Sequence, residues 1–371
     1  MTRTDMGTQN RTWPRRVAAV LTLVILSALL PEVGSGNTPV SGFFSPQSFF
    51  FLTIIGYGIP ILLIRELAVR RNLGTAGIVV AGFAYAFYNE GLWAKTMVLT
   101  SNTPITSYND YGVILGIAVP WALFIAIWHA LASVLFPIIF VNMVFPNERD
   151  KPWFDPRLAW VAAIGLLAFA GFVFMQPYKQ AGTPIQLGIF EGLIVVGIVV
   201  ASRMRRPDKP VADSTTWLAI VLGLSTVIPF LALSAIANAK VWVPLFFVAW
   251  WAVVASYSAI VRRSSWQNGP NLMLFGLGFY IQTVFFATLV RVGTVDNALE
   301  TLLTGGILGL ALASAAVVLQ VRSARQAAEE PEPVRPRVWK AIEEPAEPAP
   351  AFTMLRARQA SEQPAQSYPR V

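Results

Sequence analysis

The feature that most constrains this chain is a series of apolar stretches nearly free of Asp, Glu, Lys and Arg, with the charges gathered between them. A helix needs about 20 mostly apolar residues to cross about 30 Å of hydrocarbon. By that measure the sequence predicts ten spans, at 16–33, 47–65, 73–95, 114–143, 158–177, 186–203, 215–237, 241–261, 270–291 and 299–321. Only 13% of the residues are charged, against roughly 25% in a soluble domain, so there is too little polar surface to coat a water-soluble particle. The expected fold is all-α: a polytopic transmembrane helix bundle of about ten helices over residues 1–326. Pro120 and Pro137 predict a kink or tilted entry in the long fourth stretch. Residues 327–371, rich in Pro, Ala and Glu, lack the apolar area to offset ordering entropy and are expected to form a disordered cytoplasmic tail.

The loops set the orientation. With the N-terminus inside, the inner connections hold 18 Lys and Arg residues, from Arg3, Arg11, Arg15 and Arg16 before the first span to Arg322 and Arg325 after the last. The outer connections hold 4, namely Lys95, Lys179, Lys240 and Arg291. This is the positive-inside pattern, and it predicts both termini in the cytoplasm and residence in the cell membrane. The first run, Val17 to Leu30, resembles a signal sequence in its Arg15-Arg16 flank and in the Gly34-Ser35-Gly36 that follows. It is read as a retained span; cleavage would leave nine helices and an outer N-terminus.

The same inventory removes several function classes. With no cysteine there is no disulfide, thiolate metal site or Cys nucleophile, and with His129 the only histidine a multi-His zinc site is impossible. The net charge of +8 sits in the short loops that the positive-inside rule already explains, so no nucleic-acid partner is expected. Phosphate-cradling loops, dinucleotide-binding glycines and HExxH are absent. No cofactor or metal is expected. The partners read from the sequence are the lipid bilayer and a small solute or ion.

Ionisable groups at membrane depth are costly and usually face a bundle interior or cavity. The candidates are Glu90 with its neighbour Asn89 in the third span, His129 in the fourth, Glu32 at the outer end of the first and Glu191 near the outer start of the sixth. Gln282 lies mid-depth in the ninth. Glu66, one turn before Arg70, reads as half of an interfacial helix pair. Gly82, Ala86 and Glu90 are spaced four apart, so the carboxylate shares a stripe with small residues that permit close helix packing. Lys95, about a turn further out, is placed to snorkel or pair. The glycines of Gly56-Tyr57-Gly58-Ile59-Pro60 suggest a hinge or a packing notch. Counted from the outer ends, Glu90 is five residues deep and His129 fifteen. At 1.5 Å per residue the two are about 15 Å apart in depth. Glu32, Glu90 and Glu191 all fall in the outer half, where three carboxylates would make a cation-attracting vestibule.

The first half resembles a broad group of uncharacterised prokaryotic multi-pass membrane proteins. The likeness runs from about residue 25 to 145. It rests on Glu32 with Gly36-Asn37-Thr38-Pro39, Tyr57-Gly58, Ile64-Arg65-Glu66-Leu67, Ala84-Tyr85, Glu90-Gly91-Leu92, Trp128-His129 and Phe136-Pro137. A fainter likeness is to the CAAX-protease/bacteriocin-processing intramembrane proteases, which carry paired glutamates followed by Arg, then Phe-x-x-x-His and a second His. Here Asn89-Glu90 stands for the pair, Phe124 precedes His129 by five, and there is no second His. That resemblance implies an intramembrane enzyme using Glu90 and His129. The leading expectation is instead binding or transport of a small solute or ion around Glu90, and a third is a non-catalytic membrane subunit.

Overall fold

A computed structural model of the chain describes residues 3–98, 113–177, 181–206 and 298–329. The expected spans at 215–237, 241–261 and 270–291, Gln282, and the tail from residue 330 lie outside the described residues. Met1–Arg322 is the unit described below, and its last helix runs on to Glu329. The described chain is mostly helical. Among the described residues five helices are long and apolar enough to cross a membrane: Pro14–Glu32, Pro46–Arg71, Trp121–Val144, Pro156–Met175 and Pro184–Arg203.

The helices are α1 (Arg3–Glu32), α2 (Pro46–Arg71), α3 (residues 75–93), α4 (residues 119–144), α5 (Pro156–Met175), α6 (Pro184–Arg203) and α7 (Ala298–Glu329). Their starts follow local chemistry. Asp155 caps α5 by accepting from the Arg157 amide at 2.7 Å, and Thr183 and Gln186 form a reciprocal capping box on α6. Proline follows each of these caps, where its missing N–H costs nothing. α2 ends in Asn72, left-handed at φ 50°. The Asn72 carbonyl then accepts from Arg206 N at 2.8 Å, and Gly74 N donates to Met204 O at 3.0 Å, fastening the α2–α3 turn to the end of α6.

One boundary departs from expectation. The fourth helix begins at Val119, not near 114, because residues 113–118 fold back as a two-stranded hairpin. Leu115 (φ 52°) and Gly116 (φ 74°) make its turn with two successive positive φ angles. Hydropathy does not separate a short apolar hairpin from the first turns of an apolar helix.

α3 and α4 form the centre. No residue of α3 is exposed, and 88% of the α4 span window is buried against 17% for α5 and for α6. α5 and α6 instead present large apolar side chains outward, among them Trp160, Ile164, Phe172, Val195 and Val196. The polar side chains lie inside: Glu32, Asn89, Glu90, His129 and Ser133 are all buried. This inside-out distribution is what hydrocarbon requires of a bundle.

Small residues bring the central helices close. A Cβ on Gly82 would sit 2.6 Å from Ala130 Cα, and one on Gly91 would sit 2.8 Å from the Phe190 ring. The Gly82–Ala86–Glu90 stripe of α3 therefore lies directly on α4 beside His129. Gly58 is likewise a packing notch, where an added Cβ would meet Val24 at 2.8 Å and Thr53 O at 2.9 Å. Gly82→Val is expected to lower stability by about 2–3 kcal/mol, since the obstacle is backbone and the helices must part. The thermal midpoint of the purified protein in detergent checks this. Gly188→Ala, which meets no described atom within 4 Å, should leave the midpoint unchanged.

The end of the bundle holding the α2 C-terminus is a knot of charges. Glu66 pairs with Arg70 at 3.2 Å, as the helix spacing predicts. Its other oxygen accepts from Arg65 at 3.0 Å and from the Trp153 amide at 2.6 Å. Arg65 is 1% exposed, stacks over the Trp153 ring at 3.6 Å and donates to the carbonyls of Glu148, Arg149 and Lys151. Glu148 in turn receives Arg16 of α1 at 3.3 Å. One guanidinium thus gathers the orphan carbonyls that follow α4 and ties them to α2.

Candidate functional site

Three helices meet at His129, and each is π-wound where it does so: α2 over Phe49–Gly58, α3 over Phe87–Trp93 and α4 over His129–Leu135. In two of them a proline follows at once, Pro60 and Pro137. A proline ring clashes with the carbonyl four residues before it and offers no N–H, and wider winding just ahead absorbs that conflict. The wide turns free carbonyls, and α3 supplies donors to them. Tyr88 OH donates to Ile55 O at 3.1 Å, Tyr85 OH to Gly56 O at 3.1 Å, and Asn89 Nδ2 to Gly56 O at 3.2 Å.

At the centre, Glu90 Oε1 lies 2.8 Å from His129 Nε2. The far ring nitrogen, Nδ1, lies 2.8 Å from Ser133 Oγ, one turn along α4. Thr96 Oγ donates to Glu90 Oε2 and itself accepts from Trp121 Nε1 at 2.9 Å. The rings of Tyr57 and Tyr85 pack on the imidazole with centroids 5.9 and 5.6 Å away. His129 is 1% exposed and Glu90 9%, so the pair exchanges hydrogen bonds with protein. A hydrogen bond to a charged group contributes about 1.5–3 kcal/mol, and stranding one member costs its full desolvation.

The contact corrects the expected offset of about 15 Å in depth. That figure took the ends of the third and fourth helices as level. They are not: α3 stops at Trp93 and α4 starts at Val119, where Ala118 N donates to Met97 O at 2.8 Å. Lys95 does not snorkel. It is wholly buried, with φ 61°, and donates through Nζ to Gln176 O at 2.8 Å.

The other expected site residues lie apart from the pair. Asn89 is adjacent in sequence, but its carboxamide turns to Tyr85 OH (2.8 Å) and α2. Glu32 is held by Tyr57 OH at 2.6 Å, Asn37 Nδ2 at 2.7 Å and Thr38 Oγ at 2.6 Å. Tyr57 is the element shared with the centre, since its ring faces His129. Glu191 sits at the α5–α6 contact, its Oε1 3.0 Å from where a Cβ on Gly171 would be. The three carboxylates are thus engaged separately, and among the described residues no three of His, Asp or Glu gather as a metal site would require. Sequence reasoning missed Thr96, Trp121 and Ser133. Ser133 was accessible to it, being four residues from His129 on one helix face; Thr96, beyond the helix end, carries no periodic signal.

Apolar helices that enclose a carboxylate, an imidazole and their hydroxyl partners define a helical integral membrane protein with a buried polar centre. The chain belongs to an uncharacterized membrane protein family, whose model matches residues 21–329. Comparison with curated proteins and with solved structures returned no match.

Proposed function

We propose that this protein binds or moves a small solute or ion through a polar site centred on Glu90 and His129. The reading includes residence in the cell membrane, about ten spans and both termini in the cytoplasm. The observation that carries it is the buried Glu90–His129 hydrogen bond at 2.8 Å. An ionisable pair inside a bundle costs several kcal/mol in desolvation, and intramembrane acid and base groups commonly mark solute or proton paths. Convergent π-turns on the three site helices support the same reading, since such turns are frequent at functional sites. The carboxylate suits a cation or protonated amine, and the imidazole suits coupling to a proton.

Purified protein in vesicles loaded with a pH-sensitive dye tests this under imposed gradients of sodium, potassium and ammonium. The expected result is a dye response above protein-free vesicles for at least one of these. Responses equal to protein-free vesicles throughout would end the reading. For orientation, a reporter fused after Arg206 is expected to report cytoplasm, and a periplasmic signal there would overturn the topology.

A second reading has one observation in its favour. A carboxylate against an imidazole is the arrangement general acid–base activation of water uses, which keeps an intramembrane hydrolase in view. Such an enzyme requires His129, so a His129→Ala protein with full activity would remove the reading.

A further inference from the structure

The hydrogen-bond chain through the site has a direction that its end members impose. Trp121 Nε1 is a donor and nothing else, so the 2.9 Å contact makes Thr96 Oγ the acceptor. A threonine hydroxyl has one hydrogen. With its oxygen receiving Trp121, that hydrogen goes to Glu90 Oε2. Oε2 is therefore occupied as an acceptor, and any proton shared by carboxylate and ring lies on the line from Oε1 to Nε2, across 2.8 Å. Each carboxylate oxygen then faces a donor, the pattern of an acceptor-only ionised group. With that carboxylate ionised, Nε2 carries the hydrogen of the 2.8 Å contact, and a neutral ring then accepts at Nδ1 from Ser133 Oγ, 2.8 Å away.

We propose that Thr96, oriented by Trp121, is a positioning residue that confines the proton of the Glu90–His129 pair to the Oε1–Nε2 line and so selects the Nε2-protonated tautomer of His129. The proposal takes from the functional reading only that this pair is the working centre.

The chain has one histidine, so its imidazole can be watched alone. Full-length protein labelled with 15N at histidine, in lipid nanodiscs, gives the Nδ1 and Nε2 signals of His129 and the ratio of the two protonated forms. The Nε2-protonated form is expected to dominate in the parent. In Thr96→Val the ratio should fall about tenfold, the weight of one such hydrogen bond, as the carboxyl group becomes free to turn. Thr96→Ser, which keeps the hydroxyl, should restore it. Trp121→Phe should move the ratio the same way by a smaller factor, and serves alone if Thr96→Val does not fold. A ratio unchanged in these variants, or a parent ring without a proton on Nε2, would overturn the proposal. The measurement needs no turnover. A protein that moves no solute yet shows this tautomer pattern removes the transport reading and leaves the proton placement intact.

Discussion

Arg65→Ala is expected to destabilise the protein by about 3–5 kcal/mol, the usual cost of breaking a buried charge pair by removing one partner. The loss has three parts. Glu66, 1% exposed, keeps Arg70 and the Trp153 amide but loses the guanidinium at 3.0 Å. The carbonyls of Glu148, Arg149 and Lys151 lose their donor, with Arg149 and Lys151 at 3.1 and 2.7 Å. Trp153 loses the cation stacked at 3.6 Å. Lysine does not substitute, since a single ammonium cannot reach three carbonyls and stack at once. The measurement is the unfolding midpoint in detergent, where Arg65→Lys should recover little of the loss. Removing Arg65 and Glu66 together, as leucines, should cost less than Arg65→Ala, because no fully buried charge is left uncompensated and Arg70, which also loses Glu66, is part-exposed.

Glu90→Gln is expected to abolish function while sparing the fold. The amide keeps the size of the carboxyl group; its oxygen accepts from one of His129 and Thr96, and the other stays partnered by turning a lone pair to the new N–H. What it loses is the charge and the exchangeable proton. Acid–base groups in sites contribute 10²–10⁴-fold in rate, so the expected drop is at least about a hundredfold. The thermal midpoint should move by less than that of Gly82→Val. Glu191→Gln is the control, because Glu191 lies on the α5–α6 contact against Gly171.

The parts of this structure that sequence discloses are those written in a period or a composition. The spans near 16–33, 47–65, 158–177 and 186–203 coincide with helices to within a few residues at most ends, because about 20 apolar residues admit few other uses. α2 runs on to Arg71 because its last turns are polar but still helical. Glu90 and His129 stand out as rare ionisable residues in apolar runs, so their identity was legible. Their contact was not. It depends on where α3 ends and α4 begins, which the apolar hairpin at 113–118 conceals. It depends also on π-winding that Pro60 and Pro137 hint at without specifying. Thr96 lies beyond the end of α3 and Trp121 in the first turn of α4, and they meet beside the Ala118 N–Met97 O hydrogen bond.

The most direct test of Glu90 and His129 as the working centre is solute-coupled proton flux into dye-loaded vesicles, with parent, Glu90→Gln and Glu191→Gln proteins reconstituted at equal density. A working Glu90–His129 pair predicts flux in the parent and in Glu191→Gln, and background flux in Glu90→Gln. Parent-level flux in Glu90→Gln, from protein that is folded by its thermal midpoint, would contradict it.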